Sequence, residues 1–67
     1  MDMIRVRSRA IIAIGYDPDT SRMKIAFTKG KTYTYCRVPH ELFEAFLKAS
    51  SKGKFYSKYI KGRYQCV

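Results

Sequence analysis

The amino-acid sequence predicts an α+β domain in which a three-stranded antiparallel meander is followed by one main helix and a short C-terminal helix. Two observations lead to this fold class. Before Pro39, short segments rich in β-forming residues alternate apolar and polar side chains, and turn residues separate them. After Pro39, apolar residues recur every three to four positions, which is the period of a helix. The length of 67 residues predicts a single domain over residues 1–67.

Three strands are predicted, and the residues between them favour turns. Residues 10–16 are rich in isoleucine, residues 22–27 alternate strictly, and residues 32–38 contain many β-branched and aromatic side chains. Residues 17–20 read Asp-Pro-Asp-Thr, in which the proline fixes φ and the aspartates accept hydrogen bonds from nearby amides. Residues 29–30 read Lys-Gly, and the glycine tolerates positive φ. These segments therefore predict two consecutive hairpins.

The main helix is predicted to begin at Pro39, because proline suits the first helical position. Glu41 and Glu44 lie in its early turns, where the helix dipole favours negative charge. Its buried face is an apolar stripe that consists of Leu42, Phe43, Phe46 and Leu47. Residues 50–53 are expected to end this helix, with Gly53 as its C-cap. A second, short helix follows from the helical spacing of Tyr56, Tyr59, Ile60 and Tyr64.

The length of the loop around Gly30 decides which face of the sheet carries the tyrosines of the third strand, because strand side chains alternate between faces. A two-residue turn predicts a basic and aromatic face without a covering helix, through the pairs Ala26–Tyr33, Lys24–Tyr35 and Arg22–Arg37. A three-residue turn predicts instead that Tyr33 and Tyr35 pack in the core beside Phe27 and Ile25. The sequence leaves both registers open.

The first hairpin has one predicted register. A loop of four residues, 17–20, gives two apolar pairs on the side that the main helix covers, namely Ile14–Met23 and Ile12–Ile25. Ile11 and Ala13 then face the other side, where either a later segment covers them or they form an apolar contact surface.

The charge distribution predicts a polyanionic partner. The formal net charge is +9, from 14 basic and 5 acidic residues. From Ala45 onward there is no acidic residue, and aromatic residues lie between the cations. Because cations hold phosphates and aromatic rings stack on bases, this mixture favours single-stranded nucleic acid, with RNA preferred over duplex DNA. The simpler interpretation is a solvated basic helix whose aromatic residues fill a small core.

Nine residues are candidates for nucleic-acid binding. They lie in the second and third strands and in the C-terminal third of the chain: Lys24, Tyr33, Tyr35, Arg37, Lys52, Lys54, Lys58, Lys61 and Arg63. Residues 51–54, Ser-Lys-Gly-Lys, are either an anion-binding backbone nest or a plain turn between helices. The alternative partner is an acidic protein, such as a host enzyme if this is a phage product, because the same net charge attracts it.

Other kinds of chemistry are not predicted. No apolar run approaches the ~20 residues that span a bilayer, and the N-terminus lacks an apolar leader, so we expect a cytoplasmic protein without a membrane partner. Cys36, Cys66 and His40 do not have the spacing of a metal site, so we expect two free thiols. We expect no cofactor, no small-molecule substrate and no catalytic activity.

The N-terminal residues 1–7 have two interpretations. Arg5, Arg7 and Arg9 alternate at strand spacing, so they could extend a basic face of the sheet. The alternative is a flexible basic arm, which we favour because no turn or cap anchors residues 1–4.

A set of short motifs follows in order along residues 8–64. They are Ser8-x-Ala10-Ile11, Gly15-Tyr16-Asp17, Phe27, Gly30, Tyr33-Thr34-Tyr35, Val38-Pro39, Leu47, Ala49, Ser51-Lys52-Gly53, Phe55-Tyr56, Ile60 and Tyr64. Their order resembles the KTSC domain, whose hallmark is the central Tyr-x-Tyr. That family is named for the C-terminus of some lysyl-tRNA synthetases and includes small bacterial and phage proteins.

The resemblance implies an RNA-binding role and adds no catalytic residue, cofactor or substrate. Two departures from the family pattern are present. Arg9 replaces a second serine, and Phe55-Tyr56-Ser57 stands where the family usually has Tyr-Phe-Asn. The second departure removes any contact that the asparagine amide would make.

Overall fold

The structure is a computed structural model that describes residues 1–66. A four-stranded antiparallel sheet in the order β1-β2-β3-β4 packs against the helices. The elements are β1 Met3–Arg5, β2 Ile11–Asp17, β3 Arg22–Phe27, β4 Thr32–Tyr35, α1 His40–Lys48 and α2 Lys52–Phe55, and a π-helical segment, Tyr56–Ile60, continues α2. The predicted α+β class is confirmed, but the prediction of three strands was wrong.

The additional strand is β1, which pairs with β2 and places Ile4 opposite Ile14. Residues 3–5 are therefore part of the sheet and not of the flexible arm that we favoured. Packing explains the difference, because Met3 lies directly over Gly15. A Cβ atom at Gly15 would come within 2.6 Å of the Met3 sulfur, so only glycine leaves room for this contact.

The hairpin between β3 and β4 has a three-residue loop at 28–30. The amide of Phe27 donates to the carbonyl of Lys31 at 2.8 Å and closes the loop. Gly30 takes the left-handed conformation, with φ of 94°, at the position where three-residue hairpin loops need it. Of the two registers that the sequence left open, the structure has the one with the longer turn.

This register directs both tyrosines of β4 toward the side of the sheet that the helices cover. The pairs are Met23–Tyr35, Lys24–Thr34, Ile25–Tyr33 and Ala26–Thr32. Tyr35 is buried, with 8% of its surface exposed. The alternative that pairs Lys24 with an exposed Tyr35 is therefore excluded, because one additional loop residue reverses the faces.

The hairpin between β2 and β3 also differs from its predicted register. Its loop comprises residues 18–21, and Ile14 pairs with Ile25. A bulge near the start of β2 lets Ile11 reach the core, while Ile12 is 40% exposed. The prediction had exchanged the roles of these two isoleucines.

The predicted apolar stripe of α1 faces the sheet. Phe43 and Phe46 are buried in the core, and Leu42 and Leu47 pack against it. The predicted C-cap at Gly53 was wrong, because Gly53 lies inside α2. The cap between the helices is Ser51, whose hydroxyl oxygen accepts a hydrogen bond from the amide of Lys54 at 3.3 Å.

After the π-helical segment, the chain returns to the outer edge of β4. The amide of Cys36 donates to the carbonyl of Tyr64 at 2.8 Å, and Tyr35 and Gln65 form an antiparallel bridge. This pairing brings the Cα atoms of Cys36 and Cys66 to 4.9 Å, and the two residues form a disulfide. The prediction of two free thiols was wrong, because the contact depends on where the chain end returns and not on cysteine spacing.

Two absences hold for residues 1–66. No helix there has both the length and the apolar character needed to cross a membrane. No group of three or more histidine, cysteine or acidic side chains is arranged to hold a metal ion. His40 instead lies on the surface, with its Nδ1 atom 3.1 Å from the carboxylate of Glu44.

Candidate nucleic-acid interface

A groove of about 710 Å³ opens at the end of the sheet where the β3–β4 loop lies. Three aromatic and four basic residues line it, and no acidic residue is among the described residues that do so. We call it the aromatic groove, and it is lined by Arg9, Ala10, Phe27, Thr28, Lys29, Lys31, Tyr33, Tyr56 and Lys61.

The three rings of the aromatic groove hold one another in place. Phe27 lies between the two tyrosines and makes an edge contact with each, at centroid distances of 5.7 Å to Tyr33 and 5.2 Å to Tyr56. Edge contacts at these distances are favourable arrangements of aromatic pairs. Tyr33 is nevertheless 48% exposed, so part of its ring remains available to a ligand.

Tyr35 supports this arrangement from the core. Its hydroxyl group lies 3.0 Å from that of Tyr56, at hydrogen-bonding distance. Burial raises the pKa of the Tyr35 phenol well above its usual value, and the hydrogen bond to Tyr56 raises it further. Tyr35 therefore stays neutral at physiological pH and can keep its hydrogen bond, which makes it a positioning residue for Tyr56.

Local sequence explains how the aromatic groove is built. Phe27 ends β3, and Lys29 and Lys31 flank the glycine of the three-residue loop. Thr28 ties this loop to the segment before β2, because its amide donates to the carbonyl of Ala10 and its hydroxyl to the carbonyl of Arg9, both at 3.0 Å. The cations from two segments are thus held beside the same rings.

The acidic residues lie toward the opposite end of the sheet. The amide of Val38 donates to the carbonyl of Ser21 at 2.8 Å, which joins the start of α1 to the β2–β3 loop. All five acidic residues are in or near these two segments and the adjoining start of β1: Asp2, Asp17, Asp19, Glu41 and Glu44. The acidic residues are therefore separated from the aromatic groove, which lies at the more positively charged end of the domain.

The aromatic groove contains two of the nine predicted binding residues, Tyr33 and Lys61. Tyr35 is in the core beneath it, and Lys24 is on the opposite face of the sheet, paired with Thr34. The remaining five candidates lie outside the lining of the groove: Arg37, Lys52, Lys54, Lys58 and Arg63.

Two of these five, Lys52 and Lys58, make local contacts, and a third, Arg37, has an unusual backbone conformation. Arg37 has a φ of 56° and follows the end of β4, which is shorter than predicted. The ammonium group of Lys52 donates to the carbonyl of Ala49, at the turn between the helices. The Nζ atom of Lys58 lies 5.3 Å from the ring centroid of Tyr59, within the range of a cation–π contact.

Sequence reasoning missed five residues of the aromatic groove, namely Arg9, Phe27, Lys29, Lys31 and Tyr56. The three-residue turn, one of the two alternatives that the sequence left open, places Tyr33 on the same face as Phe27. The same turn directs attention to the two lysines that flank Gly30. Tyr56 carried no such signal, because its position depends on how α2 packs against the sheet.

Comparisons with known proteins agree on the family. The KTSC domain profile matches residues 7–64. A protein of Tsukamurella paurometabola is 44% identical over 62 residues, which cover 92% of each chain. A lysine–tRNA ligase of Nostoc sp. is 32% identical over 63 residues, which cover 94% of this chain but 11% of that protein. The crystal structure of a KTSC domain protein from Yersinia pestis matches with a TM-score of 0.94 at 39% identity, covering 98% of this chain and 93% of that one. This chain belongs to the KTSC domain family.

Proposed function

We propose that this protein is a non-catalytic module that binds single-stranded RNA through the aromatic groove. One observation carries the proposal: the ring of Tyr33 is 48% exposed in a groove lined by four basic residues. An exposed ring stacks on an unpaired base, and the surrounding cations hold the neighbouring phosphates.

The distribution of charge supports this proposal. Because the acidic residues lie toward the other end of the sheet, the field at the aromatic groove attracts a polyanion and orients its approach. The Nostoc relative is a lysine–tRNA ligase, so one protein that contains a similar segment acts on RNA. We also propose a cytoplasmic location, where an RNA partner is available to such a module.

Single strands are favoured over duplexes because of the aromatic residues. The bases of a duplex are already stacked and paired, so a ring at the surface of the protein gains little by meeting them. Unpaired bases can instead turn outward onto Tyr33. The cations alone would bind either form, so the aromatic ring is the group that distinguishes the two.

Replacing Tyr33 with leucine is expected to weaken the binding of oligouridylate by ~1–3 kcal/mol, because a stacked base contributes about that much. Leucine keeps apolar contact with Phe27 but has no aromatic face. The measurement is a fluorescence anisotropy titration of labelled oligouridylate.

Tyr59 provides a matched control for this change. It is 42% exposed, close to the value for Tyr33, and is not among the residues that line the aromatic groove. Tyr59→Leu should leave the affinity nearly unchanged. If both variants bind oligouridylate as tightly as the wild-type protein does, and heparin binds as tightly as RNA, the domain binds polyanions through charge alone and makes no specific contact with bases. Capture of an acidic protein at the groove, with no RNA binding, would support the alternative partner.

Affinity for oligouridylate is expected to fall steeply with salt. Each phosphate that the protein neutralises on a single strand contributes about 0.7 to the slope of log affinity against log salt concentration. With several cations around the groove, the slope should correspond to more than one phosphate. The titration is repeated over a series of salt concentrations. Tight binding that does not depend on salt would contradict binding through ionic contacts with phosphates.

A further inference from the structure

A second cavity, of about 250 Å³, lies beside the aromatic groove. It is formed between residues 7–10, which precede β2, and residues 50–53, which run from the turn after α1 into the start of α2. Three cationic residues line it, namely Arg7, Arg9 and Lys52, together with three serines. None of its described lining residues is acidic, so its chemistry suits an anion.

The hydroxyl groups of Ser8 and Ser51 are arranged so that each can donate a hydrogen bond to a ligand in this cavity. The Ser8 oxygen accepts hydrogen bonds from the amides of Ala10 at 3.2 Å and Ile11 at 3.3 Å. The Ser51 oxygen likewise accepts from the amide of Lys54. Because these bonds occupy acceptor sites, the hydroxyl hydrogens remain for a ligand that accepts. The ammonium group of Lys52 has three hydrogens, and the bond to the Ala49 carbonyl uses one of them.

The second cavity and the aromatic groove share two lining residues, Arg9 and Ala10. A ligand that crosses this boundary therefore meets aromatic rings on one side and a set of cations and hydroxyl donors on the other. A nucleotide has this pattern, because its sugar joins a base to a phosphate that accepts hydrogen bonds at several oxygens.

We propose that the second cavity is a phosphate site, and that it holds a backbone or terminal phosphate of the strand whose base stacks on Tyr33. This inference rests on the proposed function, since it identifies how the same strand continues beyond the aromatic groove. It assigns a binding role to Ser50, which the sequence did not single out, and gives Arg7 and Lys52 a specific ligand.

The test uses pairs of variants that change the net charge equally. Arg7→Gln removes a charge at the cavity, and Arg22→Gln removes one on the opposite face of the sheet. Ser50→Asp adds a negative charge at the cavity, and Ser57→Asp adds one on the exposed side of the π-helical segment. None of these four residues caps a helix, and none is in the core, so the variants should fold.

Arg7→Gln and Ser50→Asp are each expected to weaken oligouridylate binding about tenfold, the effect of losing one charge-assisted hydrogen bond. Arg22→Gln and Ser57→Asp should change it by about twofold or less, because only screened long-range charge is altered. In a separate titration at constant ionic strength, inorganic phosphate should shift the NMR signals of the Ser8, Arg9 and Gly53 amides in the wild-type protein and not in Ser50→Asp.

The outcomes separate the two proposals. If Tyr33→Leu weakens oligouridylate binding but the cavity variants behave like their controls, the phosphate site is wrong and the proposed function stands. If phosphate shifts amides throughout the domain and not at the cavity, the phosphate site is also wrong. If the wild-type protein binds no oligouridylate, both proposals are wrong.

Discussion

Replacing Tyr35 with alanine is expected to lower the free energy of unfolding by about 3–5 kcal/mol, as for other large aromatic truncations in a core. The side chain is 8% exposed and lies opposite Met23 on the helix-covered side of the sheet. The change leaves a cavity beneath the aromatic groove and removes the partner of the Tyr56 hydroxyl. Urea denaturation followed by circular dichroism measures the loss.

Two further variants separate packing from hydrogen bonding. Tyr35→Phe keeps the ring and removes the bond to Tyr56, so it should cost about 1 kcal/mol. Tyr33→Ala removes the other tyrosine of β4, which is about half exposed, and should cost about 1 kcal/mol or less. A Tyr35→Ala variant as stable as Tyr33→Ala would contradict the register of the β3–β4 hairpin.

Breaking the disulfide between Cys36 and Cys66 is expected to cost about 3–4 kcal/mol, because the bond restricts the unfolded chain. The two cysteines are separated by 30 positions, so the closed loop contains nearly half of the chain. The double variant Cys36→Ser/Cys66→Ser should show a lower denaturation midpoint than the oxidised wild-type protein. The reduced wild-type protein should resemble the double variant.

Reductant added to the double variant is the control, and it should not change the midpoint further. Equal midpoints for the oxidised and reduced wild-type protein would contradict the stabilising role. The size of the effect matters for the proposed location, because cytoplasmic thiols are generally kept reduced. In that compartment the domain would depend on its core alone, and a domain of this size has a small core.

Elements with local signals were predictable from the sequence. The apolar face of α1 follows from the helical spacing of Phe43 and Phe46 and is as predicted, and the helix begins at His40, one residue after the predicted Pro39, which is its N-cap. The strict alternation of residues 22–27 gave the bounds of β3. The strand β1 had no such signal, because three residues without a flanking turn become a strand only when β2 is beside them.

The candidate site was less predictable, because it depends on loop length and on returning segments. The length of the loop before β4, which the sequence left open between two and three residues, decides that Tyr35 lies in the core and not on the surface. Tyr33 faces the same side but lies nearer the edge of the core, so it remains half exposed. Arg9 and Tyr56 reach the aromatic groove from distant parts of the chain, and single-sequence patterns do not encode such contacts.

The disulfide also makes part of the backbone a covalent ring. That ring contains α1, α2 and the π-helical segment, and it is closed at β4. Ser50 and Ser51, at the exposed turn between the helices, are inside the ring. A protease that cuts there would open the ring without separating the products, so the two helices would stay attached to the sheet through sulfur. While the bond is oxidised, a single cut anywhere between the two cysteines cannot release either helix as a free fragment.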